Sequence, residues 1–182
     1  MIFFNRHKKT GKDIGKSVRQ TVLQAFQIYG KEPPGSFFLD DYIYGFVNAS
    51  VTNLMTYVFG GKDWSLQKKG ECIAEAFKTI DILLYEHHLQ VLADPERFKD
   101  MPNSSKKFKK GMDDATTLVG VSYGFLKPDD PDPILKKAKI MAEKTEDMSY
   151  MFGGGDRSPN AHLGGCVSML TLFAYIKKKY LK

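Results

Sequence analysis

The segment 42–60, YIYGFVNASVTNLMTYVFG, has no formally charged residue, although the chain as a whole carries a net charge of +6. A charge-free stretch of this length predicts a helix that is buried on most of its circumference. Small residues recur along one face at helical spacing, which lets a neighbouring helix approach closely: Gly45, Ala49, Thr52 and Thr56. We therefore expect the fold to form around a buried central helix over about residues 36–59.

The length of this segment approaches the roughly 20 residues of a membrane-spanning helix. Asn48, Asn53 and several hydroxyl side chains lower its hydrophobicity below that of a typical span, so we expect no transmembrane segment. Inside a protein core the two asparagines need hydrogen-bond partners, because an unpaired buried amide costs about 1–3 kcal/mol. Asn48 and Asn53 are therefore candidates for a polar site within the helical bundle.

The rest of the chain also has helical patterning. Apolar residues recur at spacings of three and four, and no segment alternates with the period of two that is typical of strands. The sequence predicts an all-α fold, a single-domain bundle of five to seven helices. The expected helices cover roughly residues 13–29, 36–59, 63–92, 104–126, 132–148 and 158–179. Gly30 is expected to end the first helix, Ser36 to cap the second, and Asp132 with Pro133 to open the fifth. A short polar link is expected through residues 101–103. Residues 1–11 are expected to form an irregular basic N-terminal arm, and residues 12–182 a single domain.

Composition limits the class of protein. A chain of 182 residues with 42% hydrophobic residues is long and apolar enough to bury a core. Cys72 and Cys166 have neither disulfide nor zinc-site spacing. The first residues lack the apolar run of a signal peptide. We therefore expect a cytoplasmic protein with reduced thiols.

Positive charge is concentrated at the two ends of the chain and in one internal cluster. The lysines of two of these clusters are candidates for contact with an anionic surface: Lys106, Lys107, Lys109, Lys110, Lys177, Lys178 and Lys179. Aromatic neighbours accompany them, as in surfaces that bind nucleic acid or lipid headgroups. Arginine is scarce and no nucleic-acid-binding motif is present, so improved solubility is the competing explanation.

The segment 151–159, MFGGGDRSP, leads a glycine-rich backbone into the start of the last predicted helix. Free amide groups and the helix dipole favour an anion at such a position, which makes Gly154, Gly155 and Arg157 candidate binding residues. The segment has neither a Walker A sequence nor a dinucleotide-binding fingerprint. A hinge between two helices is the competing interpretation.

Histidine and cysteine side chains suggest a site more weakly. His162 and Cys166 share one face of the last predicted helix, and His87 falls in the apolar stripe of the third. Zinc sites take three or four protein ligands and no closely spaced set supplies them, so we expect neither a metal nor a cofactor. The candidate pocket lies between the central and last helices, beside the glycine-rich segment, and is lined by Asn48, Asn53, His87 and His162.

The sequence contains no complete catalytic set. We therefore expect a non-catalytic protein that binds another protein or assembles with copies of itself. Abundant methionine, phenylalanine and tyrosine suit such interfaces. Two alternatives remain: a small-ligand-binding protein or enzyme that uses the candidate pocket, and a protein that binds a nucleic acid or anionic membrane surface through its lysine clusters.

Overall fold

The computed structural model describes residues 6–149 and 160–182, and within these residues all regular secondary structure is helical, with no strand. This confirms the all-α prediction. Short π-helical turns extend α2 over Leu54–Val58 and join α8 to α9 over Met169–Phe173. The α-helices are α1 Arg6–Ile28, α2 Asp41–Asn53, α3 Leu66–Ile80, α4 Ile82–Leu92, α5 Pro95–Ser104, α6 Lys106–Ser122, α7 Pro133–Ala142, α8 Ala161–Ser168 and α9 Ala174–Tyr180. None of these helices is both long and apolar enough to cross a membrane.

The chain divides into two compact units. The described part of the first comprises residues 6–19 and 35–113, and therefore contains α2 to α5 with portions of α1 and α6. The described part of the second comprises residues 20–34, 114–149 and 160–182, and contains α7 to α9 with the remaining portions of those two helices.

Helix α2 supplies the centre of the first unit, as the absence of charge over residues 42–60 predicts. Tyr42, Tyr44 and Phe46 are each only 1% exposed. The carboxylate of Asp40 caps the helix by accepting hydrogen bonds from the next backbone amides, whereas the sequence favours Ser36 as the cap. The cap lies later because a 3₁₀ turn, Phe37–Leu39, precedes α2.

Helices α2 and α6 approach each other closely at two glycines. A Cβ atom on Gly45 would lie 2.1 Å from the carbonyl oxygen of Phe108, and one on Gly111 would lie 2.1 Å from that of Tyr42. Because neither site has space for a side chain, the glycines permit backbone contact. The face of small residues predicted for the central helix therefore contacts α6 at Gly45.

The N-terminal helix begins earlier than predicted. Residues 6–11, expected to belong to an irregular arm, form the first turns of α1. Tertiary contacts stabilise this extension: His7 bonds the carboxylate of Glu71, and Gly11 lies against the carbonyl oxygen of Cys72. The prediction failed because these partners are some sixty residues away in the sequence.

The predicted third helix is divided into α3 and α4 at Asp81. This residue has an extended backbone, with φ of −167° and ψ of 139°, and its side chain caps α4 by accepting a hydrogen bond from the amide of Leu84 at 3.0 Å. The predicted polar link near residue 100 is also helical. Asp94 caps it as α5, with Pro95 in the first turn.

The second unit follows local signals more closely. Asp132 caps α7 and Pro133 opens it, as the sequence predicts. Gly30, with φ of +60°, ends α1 in the left-handed conformation that favours glycine. Gly165 of α8 packs closely on the carbonyl oxygen of Met148.

Candidate ligand-binding cavity

A cavity of about 520 Å³ lies between helices α2 to α6 of the first unit. Its mouth is open to solvent, since lining residues Leu89 and Leu92 are 46% and 44% exposed. Most of its wall is apolar, formed by Ile73, Ala74, Leu89, Leu92, Phe98, Pro102, Phe108 and Met112. Gly70 and a few polar side chains complete the lining, namely Asn48, Thr52, Tyr85, His88 and Lys99. Small-molecule sites commonly have this size and this mixture of apolar walls with few polar groups.

The most deeply buried polar side chain of this wall is His88, which is 4% exposed. Its Nδ1 atom lies 2.9 Å from the hydroxyl oxygen of Tyr44, and its ring stacks on Phe77 with centroids 4.0 Å apart. Burial, together with neighbouring His87, lowers the pKa of His88 to about 4. The imidazole is therefore uncharged at neutral pH.

Tyr44 is held in the same surroundings. Burial raises the pKa of its phenol above the usual value, so the hydroxyl remains protonated. Its ring also contacts Phe77 and Phe108 edge-on or at a tilt. Tyr44, which is not a lining residue, thus holds His88 through this hydrogen bond, and aromatic packing holds Tyr44.

Of the predicted site residues in this unit, Asn48 lines the cavity and is half-buried. Asn53 is half-buried at the end of α2, outside the lining. His87 contacts the ring of Tyr44 with centroids 5.0 Å apart, and it is likewise not among the lining residues. Burial, with the positive charge of Arg97, lowers the pKa of His87.

The sequence pattern favours His87 over His88 only if α3 and α4 form one continuous helix. The break at Asp81 resets the helical phase, and the buried face of α4 then contains Leu84, His88 and Val91. The sequence signal for this break is Asp81, which lies three residues before Leu84 in the position of an N-cap. Reading Asp81 as a cap would have placed His88 in the core.

The predicted site residue His162 belongs to the second unit, and both of its ring nitrogens bond to backbone groups. Nδ1 accepts a hydrogen bond from the amide of Met148 at 2.8 Å, and Nε2 donates to the carbonyl of Ala142 at 3.0 Å. The structure therefore gives His162 a structural role, holding the chain that follows α7. Gly154, Gly155 and Arg157 lie outside the described residues.

Neither cysteine is placed for chemistry. Burial raises the pKa of Cys72 to about 11, and burial also raises that of Cys166, so both remain thiols near neutral pH. Among residues 6–149 and 160–182, no group of three or more histidine, cysteine or acidic side chains is arranged to hold a metal ion.

The lysine clusters are exposed on helix ends. Lys106, Lys107, Lys109 and Lys110 occupy the first turns of α6, where Lys109 pairs with Asp113 at 2.8 Å. The nearby cap residue Ser105 donates a hydrogen bond to the carboxylate of Asp41. Lys177, Lys178 and Lys179 occupy the last turn of α9, where positive charge complements the helix dipole.

Comparison of the chain with protein-family models, with curated proteins and with solved structures gave no match.

Proposed function

We propose that the protein binds a small, mainly apolar molecule non-covalently in the cavity between α2 and α6. The observation that carries this proposal is the combination of an open, apolar space of about 520 Å³ with a buried, uncharged histidine in its wall. Burial of a ligand's apolar surface contributes roughly 25 cal/mol per Å² before the costs of association. The ligand contact of Asn48 predicted from the sequence is retained in this proposal.

The test is direct binding of diphenylhexatriene, a hydrocarbon dye, which is measured through the fluorescence of the dye. Gly70→Trp is expected to abolish binding, because an indole at this position occupies the cavity mouth. A Cβ atom on Gly70 meets no other atom within 4 Å, so the variant is expected to fold. Lys68→Trp is the matched control, since Lys68 is exposed on the same helix and does not line the cavity.

Equal dye binding by the two tryptophan variants would refute the proposed site. Absence of dye binding by the unmodified protein at concentrations that saturate other apolar sites would count against the function itself. Circular dichroism of both variants establishes that any loss of binding occurs in a folded chain.

A second candidate function is self-association, which keeps the interaction role expected from the sequence. The supporting observation is the start of α4, where Ile82 and Leu83 are 57% and 47% exposed. Contiguous exposed apolar side chains mark contact surfaces more often than chance. Native mass spectrometry of the unmodified chain and of Ile82→Glu tests this candidate. A dimer that the substitution dissociates would support it, whereas a monomer at micromolar concentration would exclude it.

A further inference from the structure

The contacts of Tyr44 determine which nitrogen of the His88 imidazole carries the hydrogen. Tyr44 is 1% exposed, and its hydroxyl makes a single hydrogen bond within the described part of the chain, to Nδ1 of His88. If His88 donated this bond, the hydroxyl hydrogen of Tyr44 would be buried without an acceptor, at a cost of about 1–3 kcal/mol. Tyr44 is therefore the donor and Nδ1 the acceptor. The neutral imidazole then carries its hydrogen on Nε2.

The Nε2–H group is available to a ligand. It makes no hydrogen bond to residues 6–149 or 160–182. It is also absent from the buried side-chain polar atoms that lack a partner, so Nε2 keeps some access to the space beside it. His88 is more than nine-tenths buried, and the open space that it borders is the cavity. A ligand that enters the cavity can supply the acceptor atom that this donor needs.

We propose that the ligand is an uncharged, mainly hydrocarbon molecule with a carbonyl oxygen that accepts a hydrogen bond from Nε2–H of His88. This inference rests on the proposed function, since it names the class of molecule that the cavity takes. The phenol of Tyr44 positions the donor, and the stacked ring of Phe77 holds the imidazole plane.

The charges of the cavity disfavour charged ligands. The single charged lining residue is Lys99, and its ammonium is exposed and paired with Glu96 at 3.0 Å. A carboxylate that reached His88 would lose its hydration without a buried positive charge to replace it, which costs several kcal/mol. An alkylammonium group supplies donors only, and Nε2–H cannot accept them.

The experiment is displacement of diphenylhexatriene from the full chain by 2-decanone, decanoate and decylamine. We expect 2-decanone to be the tightest competitor. In the double variant Tyr44→Phe with His88→Phe, we expect the affinity for 2-decanone, measured relative to the affinity for the dye, to fall about three- to tenfold, the value of one neutral hydrogen bond. The double substitution removes both polar partners and keeps an aromatic ring at each position, so it leaves no unpaired buried group.

Three outcomes overturn the inference. If the dye binds but 2-decanone displaces it equally well from the double variant and from the unmodified chain, the carbonyl contact is refuted and the proposed function stands. If decanoate competes best and Lys99→Ala removes its advantage, the ligand is an anion held at the mouth. If neither dye nor ketone binds, both the inference and the proposed function fail.

A measurement on the unmodified protein gives a check that does not depend on folding of a variant. Nitrogen-15 NMR of the imidazole rings identifies which nitrogen carries the hydrogen. We expect His88 to have the Nε2–H form, and its Nε2 resonance to shift on addition of 2-decanone but not of diphenylhexatriene. An Nδ1–H form, or equal shifts with both molecules, would contradict the assignment.

Discussion

The imidazole of His88 lies flat against the phenyl ring of Phe77, with ring centroids 4.0 Å apart and planes inclined by 19°. In a second contact, the Nδ1 atom of His88 accepts a hydrogen bond from the hydroxyl of Tyr44. The arrangement suits a neutral ring, because protonation of Nδ1 would remove this acceptor.

Stability is expected to fall with acidification through the range set by His88. Its pKa is 6.5 in its ordinary state and about 4 in the folded protein, where burial is the main cause and neighbouring His87 the second. Between these values the unfolded chain binds a proton that the folded chain does not. The unfolding free energy is thus highest above pH 6.5. It falls by on the order of 3 kcal/mol as the pH approaches 4.

Urea unfolding from pH 7 to pH 4 measures this loss. The double variant Tyr44→Phe with His88→Phe is the comparison, because every other titrating group is common to both chains, including His87 and the cavity residues Tyr85 and Lys99. We expect the unfolding free energy of the unmodified protein to decline more steeply with falling pH. Parallel curves would show that His88 titrates normally.

The contact of α2 with α6 predicts a strong effect of a single methyl group. Gly45→Ala would place Cβ 2.1 Å from the carbonyl oxygen of Phe108, an atom of the backbone that cannot rotate away. We expect a loss of about 1–3 kcal/mol in unfolding free energy, typical of overpacking. Gly70→Ala is the control in α3, where the added methyl meets no atom within 4 Å and removal of glycine stabilises the helix. Equal unfolding midpoints for the two variants would refute the close approach.

His162 is expected to matter for local structure rather than for ligand binding. His162→Ala removes the acceptor for the amide of Met148 and the donor to the carbonyl of Ala142. We expect faster hydrogen exchange at Met148 and a loss of about 1 kcal/mol in stability. Lys144→Ala, an exposed change in the same segment, serves as control. Unchanged exchange at Met148 would contradict this role.

The parts of the fold that follow from the sequence are those encoded by neighbouring residues. The absence of charge over residues 42–60 predicted the buried helix, and Asp132 with Pro133 predicted the start of α7. Gly30 predicted the end of α1 through the left-handed conformation that glycine favours. In each case the signal and the structural element lie within a few residues.

The remaining features depend on distant contacts. The start of α1 is stabilised by the contact of His7 with Glu71, which no local pattern encodes. Asn48, a polar residue in an apolar stretch, lies in the lining of this cavity, whereas the pocket expected from the sequence lies between the central and last helices. His88 was not selected, because its position relative to the core depends on the break at Asp81.

The break at Asp81 is itself stabilised from α1. The guanidinium of Arg19 donates a hydrogen bond to the carbonyl of Ile80, the last residue of α3. This carbonyl loses its helical partner where the chain turns, so Arg19 satisfies a group that a continuous helix would have satisfied internally. Asp81 performs the corresponding task for the amide of Leu84 at the start of α4.

Asp81→Ala is therefore expected to lower the unfolding free energy by about 1 kcal/mol, the usual value of an N-cap. It should also increase hydrogen exchange at Leu84, whose amide loses its acceptor. Glu86→Ala is the control, because Glu86 is exposed on the same helix, and such surface changes usually stay within about 0.5 kcal/mol. A more stable Asp81→Ala variant would mean that α3 and α4 prefer to join. The buried face of α4 would then change phase, and binding of 2-decanone would be lost together with the position of His88.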